Sequence, residues 1–136
     1  LVIVGKQAAE VEKLDLNHAE LRHLQGVDWS KVIRLGFVPD DDLVAIYNLA
    51  KVYCQPSFAE GFGLPVLEAM ACGTPVACSD TSSLPEIAGD GASYFDPYDV
   101  NNIVRAIRKV KPSVMPTRFS WEKTAHQTLM VYREIL

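Results

Sequence analysis

The chain has 136 residues, 49% of them hydrophobic and 22% charged, with 8 glycines and 8 prolines. That composition is the one of a folded domain with a sizeable core, and it excludes disorder, collagen-like repeats and coiled coil. Thirteen Lys plus Arg against 17 Asp plus Glu give a net charge of -4, which argues against nucleic acid as a partner, because binding it takes a basic stripe that displaces counterions.

In chain order, the opening Leu1-Val2-Ile3-Val4-Gly5 reads as a strand and not as a signal peptide, so the chain is expected to be a piece of a longer protein. Further strands are expected over Val32 to Phe37, Val52 to Gln55, Pro75 to Cys78 and Ser93 to Phe95, several of them apolar on both faces as in a helix-covered parallel sheet. From Asp40 the apolar positions Leu43, Ile46, Tyr47 and Ala50 follow helical spacing, with Asp40, Asp41 and Asp42 at the positive end of the dipole. A second helix spans Leu64 to Cys72, begun by Pro65 and stopped by Gly73. Ser83 and Glu86 have capping-box spacing and predict a short third helix. A fourth, after Asp96-Pro97, is expected to bury Val100, Ile103, Val104 and Ile107. Lys109 to Pro116 reads as a loop, and a last helix starts at Ser120. No apolar run approaches the roughly 20 residues of a membrane-spanning helix. Cys54, Cys72 and Cys78 lack C-x-x-C spacing, so they are expected to be buried reduced thiols of a cytoplasmic protein. The alternation of strand and helix predicts an α/β fold, a Rossmann-like doubly wound parallel sheet, occupying residues 1–136 as one domain. Such sheets place ligands beyond the carboxyl ends of their strands.

The segment Pro56-Ser57-Phe58-Ala59-Glu60-Gly61-Phe62-Gly63-Leu64-Pro65-Val66-Leu67-Glu68 is such a strand-to-helix turn, with two glycines and two carboxylates. Gly61 and Gly63 would let the backbone approach a ligand closely, and the helix amides near Gly63 to Val66 would form a seat for phosphate. Glu68, expected in the first helical turn, would turn to the same mouth and accept hydrogen bonds from a sugar diol. By spacing alone a structural reading stands beside this one: such turns are common, and both glutamates also make sense as a loop carboxylate and a dipole-complementing one. The dinucleotide and phosphate-loop glycine patterns are absent, so neither hydride nor phosphoryl transfer is indicated.

The run Glu60-Gly61-Phe62-Gly63-Leu64-Pro65-Val66-Leu67-Glu68-Ala69-Met70-Ala71-Cys72-Gly73-Thr74-Pro75-Val76 closely resembles the signature of retaining glycosyltransferases of family 4, which include many mannosyl- and glucosyltransferases. The resemblance extends to Arg34-Leu35-Gly36-Phe37-Val38-Pro39, to Leu84-Pro85-Glu86 and to Phe119-Ser120-Trp121-Glu122-Lys123-Thr124-Ala125. It implies a B-type architecture of two Rossmann-like domains facing across a cleft, of which this chain is the donor-binding, carboxyl-terminal one. It implies that Glu60, the catalytic-site residue, holds hydroxyls of the transferred hexose as a positioning group and not as a nucleophile. The backbone of Gly61, Phe62, Gly63 and Leu64 would touch sugar and diphosphate, Glu68 the ribose, and the backbone at Phe37 and Val38 the base. The implied donor is a nucleoside diphosphate sugar, with no cofactor and no metal, and the implied partner is an amino-terminal acceptor domain. The family's Arg and Lys that face the diphosphate have no counterpart here, since Lys6 falls in the wrong place, and the stretch from Val110 to Arg118 is shorter than usual. The rival readings are a sugar-nucleotide epimerase domain, a non-catalytic domain that binds a nucleotide sugar as a signal, and a plain interaction module.

Other residues have simpler explanations. Asp40 to Asp42 fit the helix dipole better than a metal motif, and His18, His23 and His126 read as surface residues. Arg105, Arg108, Lys109 and Lys111 form a small solvated basic face, open to weak attraction to an anionic membrane surface. Trp121, Ala125, Leu129, Tyr132 and Leu136 form an apolar stripe, widened by Met130, Val131 and Ile135, that one small sheet would leave uncovered, so the isolated chain is expected to self-associate.

Overall fold

The computed structural model describes residues 1–13 and 24–136, so His18 and His23 lie outside the described residues. The chain divides into two units, Leu1–Ala45 and Ile46–Leu136.

In the first unit β1 (Val2–Val4) pairs in parallel with β2 (Ile33–Leu35), Val2 opposite Ile33 and Val4 opposite Leu35. A 3-10 helix over Lys6–Lys13 follows β1 through Gly5, whose φ of 137° lies where only glycine sits without strain. A second 3-10 turn, Trp29–Lys31, is capped by Asp28, which accepts from the Ser30 amide at 3.2 Å and the Ser30 hydroxyl at 2.6 Å. These bonds hold the Asp28 carboxyl below its usual range. Asp40, Asp41 and Asp42 form the first turn of α1 (Asp40–Leu49), as the dipole argument expects.

The second unit holds a parallel sheet in the order β3-β4-β5, formed by Tyr53–Gln55, Val76–Ser79 and Ser93–Phe95. All four residues of β4 are buried, which is what a central strand covered on both faces requires. α2 (Leu64–Ala71) packs on β3 and β4, α3 (Leu84–Ala88) on β4, and α4 (Val100–Arg108) on β4 and β5. Val66, Val76, Leu84 and Phe95 are fully enclosed and form the centre of the core. Gly91 is needed for packing: a Cβ there would run into the Met70 methyl and the Val114 carbonyl. The segment after Lys109 folds back over the start of the sheet, where the Ser113 hydroxyl accepts from the Val76 amide at 2.7 Å and the Ser93 hydroxyl from the Lys111 amide at 3.3 Å.

The α/β reading therefore holds, with the strands grouped as a parallel pair in one unit and a parallel triplet in the other. Coverage of both faces is a property of β4; Val2 and Val4 at the edge of the first sheet are exposed. Three local expectations are corrected. Ser83 precedes α3 but makes no capping hydrogen bond, because its backbone is helical (φ -76°, ψ -15°) and not extended as a capping residue's is. Of the four apolar residues expected to be buried in α4, Val100 and Val104 are exposed and Ile103 and Ile107 no more than half-buried, since α4 meets the sheet along a narrow face. Of the thiols only Cys78 is buried, whereas Cys54 and Cys72 are half-buried; all three are free. α5 (Trp121–Ile135) is capped by Ser120, which accepts from the Lys123 amide at 3.1 Å, and none of its residues is buried. Trp121 is 77% exposed, so the apolar stripe is uncovered as expected.

Candidate functional site

The strand-to-helix turn lies beyond the carboxyl end of β3, and its shape is set by glycine. Gly63, just before α2, is buried with φ 105° and ψ 38°, a left-handed conformation that a side chain resists. A Cβ there would also lie 2.8 Å from Leu84 Cδ2, a side chain fully enclosed in the core. Gly61 differs: its φ is not left-handed and a Cβ would meet nothing within 4 Å. The expected row of open amides is shorter as well. The Val66 amide donates to Gly63 O at 3.0 Å, and Pro65 has none to give. The amides of Gly63 and Leu64 meet no acceptor among the described residues, and the positive end of α2 is centred on them.

The loop is held from outside by three consecutive hydroxyls that follow β4. Thr81 Oγ1 donates to Phe58 O at 3.2 Å, Ser82 Oγ to Glu60 O at 2.8 Å and Ser83 Oγ to Phe62 O at 2.8 Å, so residues 81, 82 and 83 engage alternate carbonyls. Ser82 Oγ also accepts from the Glu60 amide at 3.2 Å. Among the described residues Ser82 is the one non-glycine with positive φ, 57°. That strain, roughly 1–2 kcal/mol, is offset by its two bonds to Glu60. Thr81, Ser82 and Ser83 are site residues that sequence spacing did not indicate.

Both glutamates rest on partners brought by the fold. Glu60 Oε1 accepts from Gln55 Nε2 at 2.6 Å and from Ser57 Oγ at 2.7 Å, while Oε2 is left without a partner among the described residues. Gln55 Oε1 in turn accepts from the Tyr53 hydroxyl. Glu68 lies in the second turn of α2, not the first, because the helix begins at Leu64; its Oε2 accepts from the Tyr47 hydroxyl at 3.2 Å. Tyr47, at the end of α1, is buried and its carbonyl is fixed by Thr74 Oγ1 at 2.7 Å. The rings of Tyr47 and Tyr53 meet edge to face at 5.5 Å. Burial pushes both phenols well above their ordinary value, and the nearby carboxylates push the same way. They therefore act as donors throughout the neutral range. On its other side Glu68 faces a cavity of about 300 Å³ lined by Phe62, Leu64, Leu67, Phe119 and Trp121, with Phe62 and Phe119 edge to face at 5.8 Å.

Of the residues singled out from the sequence, Glu60, Gly61, Phe62, Gly63, Leu64 and Glu68 fall on this loop and helix of the second unit. Phe37 and Val38 belong to the first unit, in the turn between β2 and α1, where Phe37 is exposed. Among the described residues no group of three or more His, Cys, Asp or Glu side chains is placed to hold a metal.

Parallel strands, crossover helices and a glycine-started helix beside two supported carboxylates define a Rossmann-like α/β domain. The chain belongs to the family of glycosyl transferases group 1, which it matches over residues 1–133. It is 43% identical over 111 residues to the O-antigen chain mannosyltransferase B of Escherichia coli, covering 73% of this chain and 29% of that protein. It is 39% identical over 123 residues to the serotype-specific mannosyltransferase WbdA of Escherichia coli, covering 82% of this chain and 15% of that protein. An MMP alpha-(1->4)-mannosyltransferase of Mycolicibacterium hassiacum is 36% identical over 113 residues, covering 71% and 28%. Among solved structures, the sucrose-phosphate synthase of Thermosynechococcus elongatus superposes with a TM-score of 0.70 at 29% identity, covering 86% of this chain and 34% of that one. The chain thus spans less than a third of the length of these curated relatives.

Proposed function

We propose that this chain is the donor-binding part of a retaining hexosyltransferase of the mannosyl- or glucosyltransferase type, and that it takes a nucleoside diphosphate sugar. The observation that carries the reading is the presentation of Glu60: one carboxylate oxygen is held by Gln55 and Ser57 and the other is open, close in the chain to the unpaired amides of Gly63 and Leu64. An anion at those amides gains from the helix dipole, and an open carboxylate oxygen accepts from a sugar hydroxyl. Glu60 orients the hexose and is not the nucleophile. Glu68 holds the ribose. The mannosyltransferases among the relatives favour a hexose donor. The acceptor is held by an amino-terminal domain and the cations that face the diphosphate lie on a segment upstream of β1, a reading that the greater length of the relatives supports.

The test is calorimetric titration with GDP-mannose, UDP-glucose and ADP-glucose and with GDP, UDP and ADP. Glu68→Ala should weaken nucleotide and sugar nucleotide alike, by roughly tenfold or more, as expected when a charge-assisted hydrogen bond is lost. Glu60→Ala should weaken only the sugar nucleotide. Equal losses for both ligands in Glu60→Ala, or unchanged affinity in Glu68→Ala, would refute the division of roles.

A further inference from the structure

Neither glutamate of the site stands alone: Glu68 is reached by the Tyr47 hydroxyl directly, and Glu60 by the Tyr53 hydroxyl through Gln55. Glu60 is on a loop, where a carboxylate ordinarily samples several rotamers, and a freely rotating acceptor loses much of its binding energy to ordering. Here its Oε1 has two donors, the Gln55 amide at 2.6 Å and the Ser57 hydroxyl at 2.7 Å. The Gln55 amide also donates to Ser57 Oγ at 2.7 Å, so Gln55, Ser57 and Glu60 close a triangle. What fixes the sense of the Gln55 amide is its other end: Oε1 accepts from the Tyr53 hydroxyl, which leaves only Nε2 to face Glu60. Tyr53 and Gln55 are two residues apart on β3 and so share one face of the strand, and both are half-buried. The partner of Tyr53 is the ring of Tyr47, whose own hydroxyl ends on Glu68 Oε2 at 3.2 Å.

We propose that Tyr53 and Gln55 are positioning residues for the sugar-facing carboxylate of Glu60, that Tyr47 is the positioning residue for Glu68, and that the edge-to-face contact of the two rings is the shared footing of both arms. This rests on the donor-binding reading given above and deepens it. None of the three need touch the ligand; each acts through the carboxylate it holds. The arms differ in the end of the donor they serve. Loss of the Tyr53 hydroxyl therefore acts on recognition of the hexose, and loss of the Tyr47 hydroxyl on recognition of the nucleoside. Because the rings and not the hydroxyls make the footing, removing either hydroxyl leaves the other arm in place.

The experiment uses Tyr53→Phe, Tyr47→Phe and Gln55→Met, titrated with the same six compounds. Tyr53→Phe should weaken the sugar nucleotide by about three- to tenfold, the size of one modest hydrogen bond, while the matching nucleoside diphosphate changes less than about twofold. Gln55→Met, which disturbs neither ring, should behave in the same way. Tyr47→Phe should weaken both ligands by the same factor. The readout specific to positioning is the double-mutant cycle: in a Glu60→Ala background, Tyr53→Phe should have no further effect on the sugar nucleotide. A Tyr53→Phe loss shared by the nucleoside diphosphate, or one that persists without Glu60, would overturn the assignment while leaving the donor-binding reading intact. If the parent chain bound none of the six compounds, the donor-binding reading itself would fail and take this one with it.

Discussion

Replacing Gly63 by alanine is the sharpest test of how the site is built. Two separate penalties arise. At φ 105° and ψ 38° the backbone is outside the regions a Cβ tolerates, which costs about 1–2 kcal/mol. The added methyl would lie 2.8 Å from Leu84 Cδ2, and Leu84 is fully enclosed, so the leucine has no free volume into which it can withdraw. Overpacking of that kind costs about 1–3 kcal/mol. The sum is about 2–5 kcal/mol, a large part of the stability of a domain this size and roughly 10 °C in melting temperature. Gly61→Ala is the matched control, since a Cβ there meets nothing within 4 Å and the φ is ordinary; its effect should stay within about 0.5 kcal/mol. Urea unfolding followed by circular dichroism measures both. If Gly63→Ala were as stable as the parent chain, the account of Gly63 as the residue that lets the loop turn into α2 would be wrong.

Stability should decline as pH rises from about 9 to about 12. Burial pushes Cys78 from an ordinary 9.0 up to about 12 and raises Tyr47 and Tyr53 from 10.0, so across that window the unfolded chain releases protons that the folded chain retains, and unfolding is favoured; urea midpoints that stay flat over that range would contradict the assignment. Donor binding should survive a chelator if, as proposed, the charge on the diphosphate is met by the amides at the start of α2 and, in an intact enzyme, by an upstream basic pair; loss of binding in EDTA that magnesium or manganese reverses would return Asp40 to Asp42 as candidates. Through the uncovered face of α5 the isolated chain should self-associate, with light scattering showing a mass that rises with concentration; a strictly monomeric chain would refute this.

The order of strands and helices was legible because each carries its own period and punctuation, as in Pro65 and Gly73 around α2 or the three aspartates that open α1. Glu60 and Glu68 were legible as members of a motif. What supports them was not, because Tyr47, Gln55 and Thr81 to Ser83 reach the loop through pairings that no local pattern encodes. Ser83 shows why local rules mislead: its spacing to Glu86 promises a cap, yet its backbone is already helical, at φ -76° and ψ -15°, and its hydroxyl points out to Phe62 O at 2.8 Å. The placing of Glu68 failed for a smaller reason: the helix starts at Leu64 as expected, and its fifth residue already lies beyond a first turn of about 3.6 residues.

Thr81, Ser82 and Ser83 grip the neighbouring loop by its carbonyls, and every residue type carries a carbonyl. The contour of the loop is therefore indifferent to most side chains at positions 58–62. Changes at Phe58, Ala59 or Phe62 can alter what the loop presents to a ligand without altering where it runs. A scaffold organised in this way separates inheritance of shape from variation of surface: substitutions are free to accumulate on one strand-end loop while the burden of holding it rests on the next.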